Sequence, residues 1–212
     1  MNDIFISYAH IDNEALTEED KGWISHFHKV LDTRVAQLTG EKPRIWRDLK
    51  LGGNDVFDEA IVNQFCNTRI MISIMSPRYL KSEWCMKELK QFYDNASSTG
   101  GVSFENKSRI LKVVKTPFET NDVPNEIQGV FSRILGFEFF EVDTDTGKFM
   151  EYNASFGADA KHNYFSKIFD LAHEVSQLLK SMHDQESGNG ATGSAAVNSK
   201  KIFLATTTKD LQ

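Results

Sequence analysis

Trp84 and Glu88 stand four positions apart in Ser82-Glu83-Trp84-Cys85-Met86-Lys87-Glu88-Leu89. In a helix this spacing puts the two side chains one above the other on one face. A flat indole beside a carboxylate can grip a nucleotide or an aromatic cation and stabilise positive charge developing next to it. The same spacing also suits a Trp84 that packs in a core and a Glu88 that stays solvated. Glu83 lies one position from Trp84 and points elsewhere. It reads as a first-turn residue favoured by the helix dipole. Lys87 reads as solvated.

The elements around this helix decide what it faces. Asp3–Tyr8 is a short apolar run ending in small and polar residues, a buried strand that enters a loop through Ala9 and His10. Gly22 to Thr39 carries Trp23, Ile24, Phe27, Val30, Leu31, Val35 and Leu38 at helical spacing, with Gly40 as the stop. Arg44–Trp46 is a second strand, followed by Arg47, Asp48 and the Gly52-Gly53 pair. No G-x-G-x-x-G follows a strand, so this pair is no dinucleotide fingerprint, and it reads as a hinge for the loop. Val56, Ala60, Ile61 and Phe65 mark a second helix. Ile70–Met75 is the most apolar strand and the expected centre of a sheet, because strands covered on both faces lose their alternation.

After the Trp84/Glu88 helix, expected to run to about Tyr93, Ser97 to Lys107 reads as a loop. Arg109–Val114 and Phe137–Val142 are further strands, with a short helix at Glu126–Leu135 between them. Phe165–Met182 is a long amphipathic helix. Asp143 to Asn163 reads as a long mobile loop. Strand and helix alternating five times predicts an α/β, flavodoxin-like three-layer sandwich around a five-stranded parallel sheet. Such sheets bind ligands beyond the carboxyl ends of their strands. Tyr8, Ala9 and His10 follow the first strand, Arg47 and Asp48 the second, and Trp84 and Glu88 the third. All are therefore expected at one edge.

Four segments in this order resemble the Toll/interleukin-1 receptor (TIR) domain over roughly residues 1–183. The strand into Ser7-Tyr8-Ala9 is similar to the family's opening motif. Arg47 to Gly53 is similar to its Arg-Asp-x-x-x-x-Gly loop. Ile70–Met75 follows, stopped by Ser76-Pro77. Ser82 to Leu89 is similar to the Ser-x-Trp-Cys-x-x-Glu-Leu helix of enzymatic members.

The resemblance implies one of two functions. Some TIR domains associate with other TIR domains and signal by proximity. Others cleave the nicotinamide–ribose bond of NAD+, leaving ADP-ribose or a cyclised form. For the enzymatic class it implies that Glu88 is the catalytic glutamate. Around it, Tyr8, Ala9, His10, Arg47, Asp48 and Trp84 are the candidate substrate-binding residues. All but Ala9 have a plainer reading: Trp84 as core, Tyr8 as a strand-end aromatic, His10 as a surface histidine, Arg47 and Asp48 as an exposed ion pair. NAD+ would be substrate, with no cofactor and no metal. The Arg47–Gly53 loop contacts a neighbouring domain in the family, so self-association is expected to switch activity on. A third reading is a nucleoside deoxyribosyltransferase-like enzyme, which nucleosides rather than NAD+ would inhibit. The layout looks like that of a bacterial TIR protein, which implies immune defence, with virulence as the alternative.

The 212 residues, 40% hydrophobic and 25% charged, suit one domain with an appendage. A net charge of -6 argues against a dedicated nucleic-acid surface, which needs clustered Lys and Arg. The two cysteines, Cys66 and Cys85, have no metal-ligand spacing and read as free thiols of a reduced, cytoplasmic protein. No apolar run is long enough to span a bilayer, and no secretion signal opens the chain. The expected domains are the TIR domain (1–183), a flexible linker rich in small and polar residues (184–199), and the start of a second α/β domain (200–212). In that last segment Ile202-Phe203-Leu204-Ala205 repeats the pattern Ile4-Phe5-Ile6-Ser7.

Overall fold

The computed structural model describes residues 2–16, 18, 21–47, 67–119, 123, 125, 128, 129, 134 and 136–188. The strands are β1 (Asn2–Tyr8), β2 (Ile45–Arg47), β3 (Thr68–Met75), β4 (Ser103–Phe104), β5 (Lys107–Ser108), β6 (Ile110–Val114), β7 (Gly136–Glu138), β8 (Phe140–Val142) and β9 (Phe149–Glu151). The helices are α1 (Trp23–Thr39), α2 (Pro77–Leu80), α3 (Glu83–Ser98) and α4 (Gly157–Gly188), with a 3-10 turn at His10–Asn13.

Five strands form one sheet in the order β2-β1-β3-β6-β7, every neighbouring pair parallel. This is the five-stranded parallel sheet that the strand–helix alternation predicts, in flavodoxin-like order. All of β3 is buried and it lies at the sheet's centre, as its unbroken apolar run requires. Alternation along β1 sends Ile4, Ile6 and Tyr8 to one face, where they pack with Trp23, Ile24 and Phe27 of α1 and Ile168, Leu171 and Val175 of α4. Phe5 and Ala9 face the other way, onto Tyr79 of α2 and Cys85, Leu89 and Phe92 of α3. The helices on the two faces make the three layers.

Local chemistry sets the element ends nearest the strand tips. Gly22 has φ +84°, and a Cβ there would lie 2.0 Å from the Asn13 carbonyl oxygen. Only glycine fits that approach. In return, Asn13 Oδ1 accepts the Ser25 backbone N–H at 2.8 Å, satisfying one of the open donors of the α1 start. Gly40 closes α1 in the left-handed region, its N–H bonded to Ala36, as its place after the last periodic residue predicts. Ser76 and Ser82 cap α2 and α3 by accepting the N–H of Tyr79 and Cys85.

Several boundaries differ from those read in the sequence. The Trp84/Glu88 helix continues past Tyr93 to Ser98, because Phe92 and Ala96 extend its buried stripe. Part of the expected 97–107 loop is a β4–β5 hairpin turned at Glu105 and Asn106, both at positive φ. The expected fifth strand divides at buried Phe139: β7 joins the main sheet and β8 pairs with β9. The segment from Asp143 to Asn163 is therefore not a mobile loop. It is the tip and second strand of that hairpin, then the first turns of α4, and Asp143 Oδ1 accepts the N–H groups of Asp145 and Thr146 at the tip.

α4 also runs past the expected domain end at 183, to Gly188. Arg69, at the start of β3, holds its last turns through His183 Nε2 at 2.7 Å and Glu186 at 2.6 Å, and reaches Asp3 at 3.3 Å. Residues 184–188 are thus helix rather than linker. The helix expected at Val56–Phe65, Gly52-Gly53, Cys66, the rest of the linker and the 200–212 segment lie outside the described residues, as does most of Glu126–Leu135. No helix among the described residues is long and apolar enough to cross a membrane.

Candidate active site

Ser82 caps α3 and so phases the helix that follows. Trp84 and Glu88 fall one turn apart, and the indole Nε1–H donates to Glu88 Oε1 at 3.0 Å. Trp84 is half-buried, whereas Glu88 is only 3% exposed. The expectation that the two share a face holds. The plainer alternative of a solvated Glu88 does not.

Ser7 meets Glu88 from β1. It lies between Phe5 and Ala9 on the strand face toward α3, and its Oγ–H donates to Glu88 Oε2 at 2.5 Å. Tyr79, fully buried on α2, places its hydroxyl 3.1 Å from Ser7 Oγ. β1 and α3 therefore hold one carboxylate between them near the carboxyl ends of β1 and β3, and α2 backs it through Ser7. β2 and β3 flank β1 there, so this is where the strand order reverses.

Burial and pairing act on the described titratable groups nearby. Burial, reinforced by the charge of Glu88, pushes the Cys85 thiol up to about 12. A thiol so placed is no nucleophile near neutral pH. Burial likewise raises the Tyr79 phenol far above its ordinary range, so it remains a donor. Asp12, in the turn after β1, is raised by burial and partly rescued by the Ser76 hydroxyl, which donates to it at 2.6 Å. Lys115, just past β6, pairs with Glu151 of β9 at 2.6 Å, both largely buried.

The sequence-predicted binding residues do not all converge. Ala9 is buried on the Glu88 side with Tyr79 and Cys85. Tyr8 belongs to the opposite face, in the core with α1 and α4, and stacks on exposed His10 at 5.6 Å. Strand alternation forces this: if Ser7 faces α3, Tyr8 cannot. Arg47 also turns toward α1, where both its terminal nitrogens reach Ser25 Oγ at 3.3 Å. Its neighbour Trp46 takes the other face and stacks on Phe5 at 4.5 Å. Tyr8 and Arg47 thus stand at the strand ends on the face toward α1 and α4, opposite the one that carries Ser7. Asp48 lies outside the described residues.

Ser7 and Tyr79 were not among the sequence-predicted candidates. The signal for Ser7 was present, a lone hydroxyl inside an apolar strand on the face opposite Tyr8. Among the described residues no group of three His, Cys, Asp or Glu could hold a metal ion. Three cavities lined by described residues lie elsewhere. One of about 680 Å³ sits beside Lys107, Phe137 and Glu174, one of about 900 Å³ beside Ser25, His26 and Asn153, and one of about 280 Å³ beside Asp3 and His183.

No curated protein matches the sequence. The chain is similar in structure to the TIR domains of the activated Roq1 resistosome directly recognizing the pathogen effector XopQ. That likeness has a TM-score of 0.39 and 12% sequence identity, over 88% of this chain and 99% of that chain. The TIR domain family model matches residues 4–114, just over half of the chain and including β1, β3, α2, α3 and β6. This chain belongs to the TIR domain family.

Proposed function

We propose that this TIR domain hydrolyses the nicotinamide–ribose bond of NAD+, releasing nicotinamide and ADP-ribose or a cyclised ADP-ribose. The observation that carries the reading is Glu88, a buried carboxylate clamped between Trp84 and Ser7 at the reversal of strand order. Burying a charge is costly, and a chain retains one where it is held by donors.

The bond suits a single carboxylate. Nicotinamide leaves as a neutral ring from a cationic one, so no general acid is required. Positive charge builds on the ribose in an oxocarbenium-like state. A fixed carboxylate beside C1′ or the ribose hydroxyls stabilises that charge by about 3–4 kcal/mol. The half-buried Trp84 ring offers a face to the cationic nicotinamide while its N–H holds Glu88. NAD+ is substrate here, and no cofactor is invoked. Self-association through TIR domains is the proposed switch, in a cytoplasmic protein of bacterial immune defence.

A second reading is a non-catalytic TIR–TIR signalling module. The near-complete burial of Glu88 favours it, because a carboxylate 3% exposed acts on a substrate only if the approach opens. Chromatography of the products formed from NAD+ decides between the two. The enzyme reading expects nicotinamide with a stoichiometric ADP-ribose species from the wild type and neither from Glu88→Gln. Intact NAD+ with the wild type under all conditions supports the module.

A further inference from the structure

We propose that Ser7 and Tyr79 are positioning residues for Glu88, forming a buried hydroxyl relay that fixes the carboxylate. This rests on the NAD+-hydrolase reading above. Ser7 is 1% exposed, Tyr79 0% and Glu88 3%, and they come from β1, α2 and α3 respectively. A serine hydroxyl has one proton. Ser7 gives it to Glu88 Oε2 at 2.5 Å, a length typical of a hydroxyl bonded to a charged oxygen. Tyr79, 3.1 Å from Ser7 Oγ, must then be the donor to Ser7. The order is Tyr79 O–H to Ser7 O–H to Glu88, with each proton pointing toward the carboxylate.

The relay also accounts for a serine in that strand. Phe5 and Ala9 share the face and are apolar, and a buried hydroxyl is unfavourable there without a partner. Ser7 is not in the family of helix caps or turn formers here, because its Oγ bonds across 81 positions to Glu88.

Among the described residues, the titratable groups near Glu88 include Cys85 on its own helix and Tyr79 from α2, both kept from ionising chiefly by burial and further by the charge of Glu88. Asp12, from the turn after β1, acts on Cys85 in the same sense, and Lys115 and Glu151 act on Asp12. Ser7 and Trp84 are neutral donors, one to each carboxylate oxygen. Removing a donor from an ionised carboxylate moves its titration upward.

The test uses the full chain and measures nicotinamide release from NAD+ across pH for the wild type, Ser7→Ala, Ser7→Thr, Tyr79→Phe and Glu88→Gln. Ser7→Ala is expected to lower kcat about tenfold with KM little changed, and to move the acid limb up by roughly one pH unit. Tyr79→Phe acts in the same direction at about threefold, and Ser7→Thr, which keeps the hydroxyl, restores the acid limb. Circular dichroism of each variant separates a fold defect from a positioning defect. A folded Ser7→Ala with the wild-type kcat and acid limb overturns the relay. If the wild type releases no nicotinamide, the hydrolase reading fails, and carbon-13 NMR titration of the Glu88 carboxyl still decides on the relay. A higher midpoint in Ser7→Ala sustains it, and an unchanged midpoint overturns it.

Discussion

The Trp84 indole and the Glu88 carboxylate are joined by a 3.0 Å hydrogen bond across one turn of α3. The indole therefore has two separable roles, as donor through its edge and as aromatic surface through its face. Trp84→Phe keeps the surface and removes the donor, and Trp84→Ala removes both. Nicotinamide release is expected to fall about tenfold in the first and further in the second, because a hydrogen bond to a charged group contributes about 1.5–3 kcal/mol. Equal losses in both variants would assign the whole effect to the donor.

Asp12 gives a pH dependence of stability. Its native pKa is raised above 3.8, mainly by burial, so the folded state holds this proton more tightly than the unfolded chain. Stability from this group then falls as pH rises from 3.8 through the raised native value. Asp12→Asn keeps an oxygen for the Ser76 hydroxyl and carries no charge. It is expected to be more stable than the wild type in urea at pH 7, with the difference vanishing below pH 3.8. A wild type more stable than Asp12→Asn at pH 7 contradicts this assignment.

Cys85 is expected to resist modification in the folded protein, since its thiol is pushed up to about 12 and is 2% exposed. In a Cys66→Ala background, a disulfide reagent at pH 8 should label the chain only as fast as it unfolds. Rapid labelling under native conditions would show that α3 opens there.

Arg69 is expected to anchor the end of the domain. Its side chain is 8% exposed, and its guanidinium joins Asp3 of β1 to His183 and Glu186 of α4. Arg69→Ala leaves largely buried Asp3 without this cation and should cost about 3 kcal/mol by urea titration. A chain stopped after His183 loses the half-exposed Glu186 partner and should cost about 1 kcal/mol. Equal stability of the chains ending at 183 and 188 would place the last turn outside the folding unit.

The legible parts of the fold were those written in local periodicity. Gly40 after the last apolar position of α1, and the unalternating run of β3, gave those elements and the sheet centre from sequence. The β8–β9 hairpin was hidden because Phe140–Val142 reads as a continuation of the fifth strand, while β9 is three residues long and exposed, with Phe149 about half-exposed and no apolar alternation to mark it. At the site, Trp84 and Glu88 were legible because one helix turn joins them. Ser7 was not, because its bond to Glu88 spans the chain from β1 to α3 and only the packed sheet brings them together. Tyr8 and Arg47 were grouped with Glu88 by their place after strands, but that place fixes the sheet edge and leaves open the face. Strand alternation sent both toward α1 and α4.

The most direct measurement is nicotinamide release from NAD+ by the wild-type chain and Glu88→Ala over a wide range of protein concentration. The account predicts release per molecule that rises with concentration in the wild type and falls roughly a hundredfold or more in the variant, the loss of a positioned charge. Equal release by both proteins, or none from the wild type at any concentration, would contradict it.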